Sequence, residues 1–257
     1  MPKPVKPETR KNPANTPKTC RYGKTSSIVT TFVQRTGLPS SRQFDLIAFD
    51  WDGTLSDSTA IITTCLQEAV RDVGGTVPSN EAASYVIGLA LLPALAHAAP
   101  DVPPEEHAEL GLRYRHHYRL RMNDISLFDG VVTMLGVLKA RQHLLAVATG
   151  KNRVGLDDAL HHAELVGLFD GSRTADQTRG KPDPLMLHEL MAEFGVPPER
   201  TLMIGDTTHD LLMARNAGCA SVGVSYGAHA HASFGDLSPR FVAHSVRELQ
   251  DWLVQYG

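Results

Sequence analysis

Four aspartates, one threonine and one lysine stand where short apolar runs end. Asp50 and Asp52 follow Phe44-Asp45-Leu46-Ile47-Ala48-Phe49, Thr149 closes a second run, Lys181 precedes a helical stretch, and Asp206 and Asp210 follow a third run. If those runs are parallel strands, all six side chains converge on one edge of a sheet. Carboxylates gathered in that way repel one another and raise each other's pKa unless a cation compensates. A hard divalent cation with oxygen ligands meets the need. Magnesium favours a few carboxylates together with substrate phosphate and water, so the cluster suits phosphoryl transfer better than a metal cage made wholly of protein.

The elements that must position these groups can be read from the apolar pattern. Phe44 to Phe49, His143 to Thr149, Thr201 to Gly205 and Ala220 to Val224 read as buried strands. Helical periodicity falls between or after them, at 131–141, 152–165, 184–194, 209–217 and 246–254, with Gly195 and Gly218 at two expected stops. Strands alternating with helices imply a parallel sheet covered on both faces. The expected class is α/β, a Rossmann-like three-layer core. Residues 58–127 break the alternation, carrying helical signals near 60–73, 80–87, 89–98 and 104–122 and no convincing strand. They predict a small helical cap inserted after the first strand, above the edge where open α/β sheets bind ligands, and therefore a mobile lid. The core then comprises residues 43–57 and 128–257.

Residues 1–42 hold five Lys and four Arg against Glu8 alone, a net of +8, so a total of −3 leaves −11 for the remainder. Apart from the run from Ile28 to Val33, this basic arm shows no apolar pattern able to offset ordering entropy, and it is expected to be disordered. A net charge of −3 argues against binding driven by nucleic-acid phosphates. The chain carries no stretch of the length a membrane span needs and no secretory leader pattern, so cytoplasm is the expected location. Cys20, Cys65 and Cys219 are odd in number and far apart, which suggests reduced thiols.

Four segments, Phe49-Asp50-Trp51-Asp52-Gly53-Thr54-Leu55, Ala148-Thr149-Gly150, Gly180-Lys181-Pro182-Asp183-Pro184 and Ile204-Gly205-Asp206-Thr207-Thr208-His209-Asp210, resemble in order and spacing the four motifs of the haloacid dehalogenase-like hydrolase superfamily. The resemblance covers about residues 44–228 and is closest to the helical-cap branch that includes phosphoglycolate phosphatase-like enzymes. It implies that Asp50 is a nucleophile forming an aspartyl-phosphate and that Asp52 is the acid and base. It further implies that Mg²⁺ is held by the Asp50 carboxylate, the Asp52 main-chain carbonyl and Asp206, with Asp210 positioning a water or Lys181. Thr149 and the main-chain N–H groups around Trp51 to Gly53 would bind phosphate oxygens, with Lys181 neutralising charge and Gly53 allowing close approach. Asp45, Asp57 and Asp183 need no catalytic role.

Dehalogenases of the superfamily lack the second aspartate of the first motif, so Asp52 favours phosphate substrates. A β-phosphoglucomutase-like phosphotransferase is the nearer alternative, but the basic residue its cap carries soon after a glycine like Gly88 is replaced here by Leu89-Ala90-Leu91-Leu92. A non-catalytic binding protein would show decayed motifs, and only Gly150 departs, where many relatives carry Asn. The expected partner is a small phosphorylated metabolite, such as phosphoglycolate, a sugar phosphate or a nucleotide, acted on by a monomer or homodimer. Along the cap helix, Arg113, His117 and Arg121 form one row and Arg115 and Arg119 another, so only one row can face an anionic substrate. Tyr226-Gly227-Ala228-His229-Ala230-His231 is a candidate substrate-contacting loop; its two histidines lack the further ligands a zinc site needs.

Overall fold

The computed structural model describes residues 1–2 and 42–257; the expectations for the basic arm fall on residues outside these, except at its last member, Arg42. The chain from Arg42 onward builds a parallel six-stranded sheet. Its strands are β1 (Leu46–Phe49), β4 (Leu144–Thr149), β5 (Gly171–Thr174), β6 (Thr201–Gly205), β7 (Ala220–Val224) and β8 (Val242–Ala243), with β2 and β3 belonging to the separate ribbon described below. Their order in the sheet is β5-β4-β1-β6-β7-β8. All four residues of β1 are buried, as a strand covered on both faces requires. Ile47 and Phe49 face a layer built by α5 (Val131–Ala140), α6 (Arg153–His162) and α9 (Val246–Tyr256). Leu46 and Ala48 face the opposite layer, built by α7 (Leu185–Phe194) and α8 (Thr208–Ala217). This is the three-layer α/β core the alternation implies. Gly195 and Gly218 end α7 and α8 at the expected stops.

Two strands escape the apolar pattern. β5 is the polar Gly-Ser-Arg-Thr at one sheet edge and β8 is two residues long at the other. Edge strands bury less, so they need not be apolar.

The insert is a four-helix unit of α1 (Thr59–Asp72), α2 (Asn80–Tyr85), α3 (Leu91–Ala98) and α4 (His107–Arg121). It has its own core, centred on Leu66, Val70, Val86, Leu95 and Leu110. The expectation of a wholly helical 58–127 needs one correction: Ser126–Leu127 forms β3, antiparallel to β2 (Ser56–Asp57). This two-residue ribbon joins insert to core at both chain crossings and is too short to leave a periodic signature. Leu89 and Ala90, expected as the start of a helix, instead follow Gly88 in a non-helical crossing segment before α3.

Candidate active site

β1 lies between β4 and β6, so the carboxyl ends of these three strands open onto one crevice, the position where chain direction across the sheet diverges. Asp50 leaves β1, Thr149 ends β4, and Asp206 leaves β6. One carboxylate oxygen from each of Asp50, Asp206 and Asp210 lies within 4.8 Å of the others, and all three residues are buried. Lys181 Nζ is 2.7 Å from an oxygen of Asp50 and 2.7 Å from one of Asp210. Those contacts are close, buried ion pairs, and the second oxygen of Asp50 receives no hydrogen bond from any described group.

The electrostatics follow from burial and crowding. Asp50 is pushed well above the ordinary carboxylate range by burial, with Asp210 and Asp206 adding to the shift and Lys181 opposing it. Burial likewise drives Asp206 up to about 7, helped by Asp210. Burial disfavours the Lys181 ammonium, but Asp210 and Asp50 more than offset this and hold it charged. Three buried acids against one ammonium leave a deficit of positive charge. A divalent cation would fill that deficit, and the converging carboxylates of Asp50, Asp206 and Asp210, with one Asp50 oxygen unbonded, are suited to ligate it.

Local structure fixes each acid. Thr54 Oγ1 donates to Asp206 at 2.9 Å and the Ala228 N–H donates to its other oxygen at 2.7 Å. Asp210 occupies the first turn of α8, where its carboxylate accepts from the Thr207 N–H at 3.1 Å in a capping box. Gly53 has φ +79°, and a Cβ there would lie 2.1 Å from an Asp206 oxygen, so the turn after β1 can pass over Asp206 only with glycine.

Asp52 lies apart from the triad. Ser58 Oγ donates to one of its oxygens at 2.7 Å and Lys151 Nζ is 3.0 Å from the other. Lys151 also donates to the Tyr118 hydroxyl, 3.0 Å away on α4, so the chain Asp52–Lys151–Tyr118 links core to insert. Any contribution of Asp52 to a metal is therefore left to its main-chain carbonyl. Gly53 requires a correction as a phosphate donor, because its N–H is committed to the Ser56 carbonyl at 2.8 Å. The N–H groups of Trp51 and Asp52 donate to no group among the described residues. The Trp51 ring is buried against Phe169 in the core, edge to face at 6.5 Å. Thr149 is buried at the β4 exit, where its hydroxyl accepts from the Lys151 N–H at 3.2 Å. Beside it, a Cβ at Gly150 would come within 2.5 Å of the Gly88 and Leu89 carbonyl oxygens, so the insert's crossing segment rests directly on this position.

Sequence reasoning gave no role to Ser58, Thr54 or the Ala228 N–H. The histidine-bearing loop was singled out, and it serves as the support of Asp206. His229 Nδ1 accepts from the Thr208 N–H at 3.1 Å, which leaves its Nε2–H to donate to the Tyr85 carbonyl at 3.0 Å. His209 Nε2 donates to the same carbonyl at 2.8 Å, a second tie between core and insert. Asp45 and Asp183 are structural: Asp45 pairs with Arg200 at 2.6 Å, and Asp183 accepts from the Leu185 N–H at 3.0 Å at the start of α7.

A parallel sheet bearing acidic strand exits beneath a helical insert defines a class of phosphoryl-transfer proteins, and comparison with known proteins agrees. Residues 47–224 match the haloacid dehalogenase-like hydrolase family, and the chain belongs to that family. It is 33% identical over 209 residues to the probable phosphatase IndB of Dickeya dadantii (strain 3937), an alignment covering 79% of this chain and 91% of that protein. It is 32% identical over 222 residues to phosphoglycolate phosphatase of Vibrio vulnificus (strain YJ016), covering 82% and 97%. The crystal structure of a predicted phosphoglycolate phosphatase from Haemophilus somnus 129PT superposes with a TM-score of 0.73 at 25% identity, covering 82% of this chain and 99% of that one. The chain is thus a phosphatase of this family. Among the described residues no helix is long and apolar enough to cross a membrane.

Proposed function

We propose that the protein hydrolyses a small phosphomonoester through an aspartyl-phosphate on Asp50, with Mg²⁺ as cofactor, in the cytoplasm. The observation that carries this reading is the Asp50 carboxylate itself, buried at the sheet's carboxyl edge with one oxygen paired to the Lys181 ammonium at 2.7 Å and the other without a hydrogen bond among the described residues, beside two further acids. The ion pair orients the carboxylate, and its second oxygen is left available for attack. Asp50, Asp206 and Asp210, with the Asp52 main-chain carbonyl, are the residues that would hold Mg²⁺, which when bound supplies neutralisation of the carboxylates and of substrate phosphate.

The chain's own groups do the rest. Asp50 attacks phosphorus, forming an O–P bond as the bond to the leaving oxygen breaks. The Trp51 and Asp52 N–H groups and the Thr149 hydroxyl bind the phosphoryl oxygens, and the Lys181 ammonium balances their charge. Asp52 gives its proton to the departing alkoxide, then removes one from the water that cleaves the aspartyl-phosphate, returning free Asp50 and inorganic phosphate. Hydrolysis of p-nitrophenyl phosphate with and without Mg²⁺ tests the reading. Asp50→Asn should lower turnover by at least about 10³-fold, because no nucleophile replaces the carboxylate, and acid-quenched wild-type enzyme should carry a phosphoryl adduct on the peptide containing Asp50. Wild-type activity equal to that of Asp50→Asn would reject it in favour of a non-catalytic binding protein.

A further inference from the structure

A cavity of about 910 Å³ lies between the insert and the core, reaching from Asp52, Gly88 and Lys151 toward α4. At about 30 Å³ for each water it displaces, that space holds some thirty waters, many times what a two-carbon phosphoester would displace. Its walls are mostly apolar, with Ile62, Leu66, Leu91, Leu95, Tyr114 and Tyr118 among them.

The cationic rows of α4 divide between two jobs. Arg113 pairs with Glu109 at 2.7 Å, His117 lies between Glu68 and Asp72 at 3.1 and 2.7 Å, and Arg121 pairs with Glu68 at 2.8 Å. That row fastens α4 to α1 and to itself. Arg115 and Arg119 form the other row, line the cavity, and have no ion-pair partner among the described residues. Of the other ionisable groups lining the cavity, Asp176 already accepts from Thr174 Oγ1 at 2.7 Å and the Arg153 N–H at 2.9 Å. Asp158 is exposed, and His162 Nε2 is engaged with the Ile125 carbonyl at 3.2 Å.

We infer that the substrate is a phosphomonoester with an extended apolar body ending in a second anionic group, the body filling the cavity and the anion received by Arg115 and Arg119. This names the substrate class of the proposed phosphatase and rests on that reading. Apolar walls reward each buried methylene, and two unpaired guanidinium groups one helical turn apart recognise a carboxylate or phosphate.

The test is a kinetic comparison of ω-carboxyalkyl phosphates of increasing length, beginning with phosphoglycolate, against n-alkyl phosphates of equal length. The value of kcat/KM should rise about fourfold per added methylene until the cavity is spanned. At that length the carboxylate should confer about a tenfold or larger advantage. In Arg115→Ala/Arg119→Ala that ratio should fall toward one, while Arg113→Ala keeps it. Phosphoglycolate as the best substrate of the series, or a ratio unmoved by the double substitution, would overturn the inference. So would Asp158→Ala reproducing the double variant, since the arginines would then act only by closing the cavity mouth against Asp158. Failure to hydrolyse any compound, p-nitrophenyl phosphate included, would instead strike the phosphatase reading beneath it.

Discussion

Asp50 and Asp52 stand two residues apart and meet different surroundings, and that separation of environments is what lets two like groups take different roles. Asp50 faces Lys181 at 2.7 Å and two acids with one oxygen unbonded, whereas Asp52 has both oxygens engaged, by Ser58 at 2.7 Å and by Lys151 at 3.0 Å. If Asp52 carries the proton, Asp52→Asn should slow both formation and breakdown of the aspartyl-phosphate, by roughly 10²- to 10⁴-fold. Rapid-quench measurement of the two steps checks this; unchanged turnover would remove Asp52 from the mechanism. The acids themselves were legible in the sequence because strand exits are marked by where apolar runs stop. Their supports were not. Ser58 and Lys151 meet Asp52 from different segments, and the Ala228 N–H that holds Asp206 has no side-chain signature at all.

The contact between the β4 exit and the insert is where element packing bears on turnover. The lack of a side chain at Gly150 lets the Gly88 and Leu89 carbonyls sit against it. Gly150→Ala would place a carbon within 2.5 Å of both oxygens, so the crossing segment must lift away from the core. Overpacking of this kind costs about 1–3 kcal/mol. Thermal unfolding should show that loss, and kcat/KM for p-nitrophenyl phosphate should fall as the insert seats less well over Asp50. A fully active, fully stable variant would mean that the insert does not need this seat. The alternation of strands and helices identified this architecture because fully buried strands leave apolar runs. The ribbon of β2 and β3 and the edge strands β5 and β8 were missed for the complementary reason, being short or polar enough that only tertiary pairing defines them.

At the scale of the whole molecule, the buried acids should write themselves into the stability of the fold. Asp206, pushed by burial up to about 7 from an ordinary 3.8, and Asp50, raised by the same cause, bind protons more tightly folded than unfolded. These two acids therefore take up protons on folding, and their contribution to metal-free stability is lost as pH rises from roughly 4 through 7, while His143, lowered by burial to about 4, and His209 and His229, lowered by the same cause, contribute stability that grows over that interval. Asp45 acts in the opposite sense to those two acids: its hydrogen bonds to Arg200 and then Arg42, working against burial, lower it to about 2, so it contributes stability above its ordinary 3.8 that is lost as pH falls toward 2. A divalent cation binds the ionised acids, so its stabilising increment should grow with pH. At a Mg²⁺ concentration of 100 times the dissociation constant the increment is about 2.7 kcal/mol, and it should shrink near pH 5, where protons compete for the same oxygens. Thermal unfolding at pH 5 and pH 8, with chelator or with Mg²⁺, measures this directly. Asp206→Asn should remove its part of the metal-free loss and reduce the Mg²⁺ increment together, because one carboxylate is the source of both. A metal-free pH profile that Asp206→Asn leaves unchanged, with equal Mg²⁺ increments at both pH values, would show that these acids are not crowded together in the folded chain.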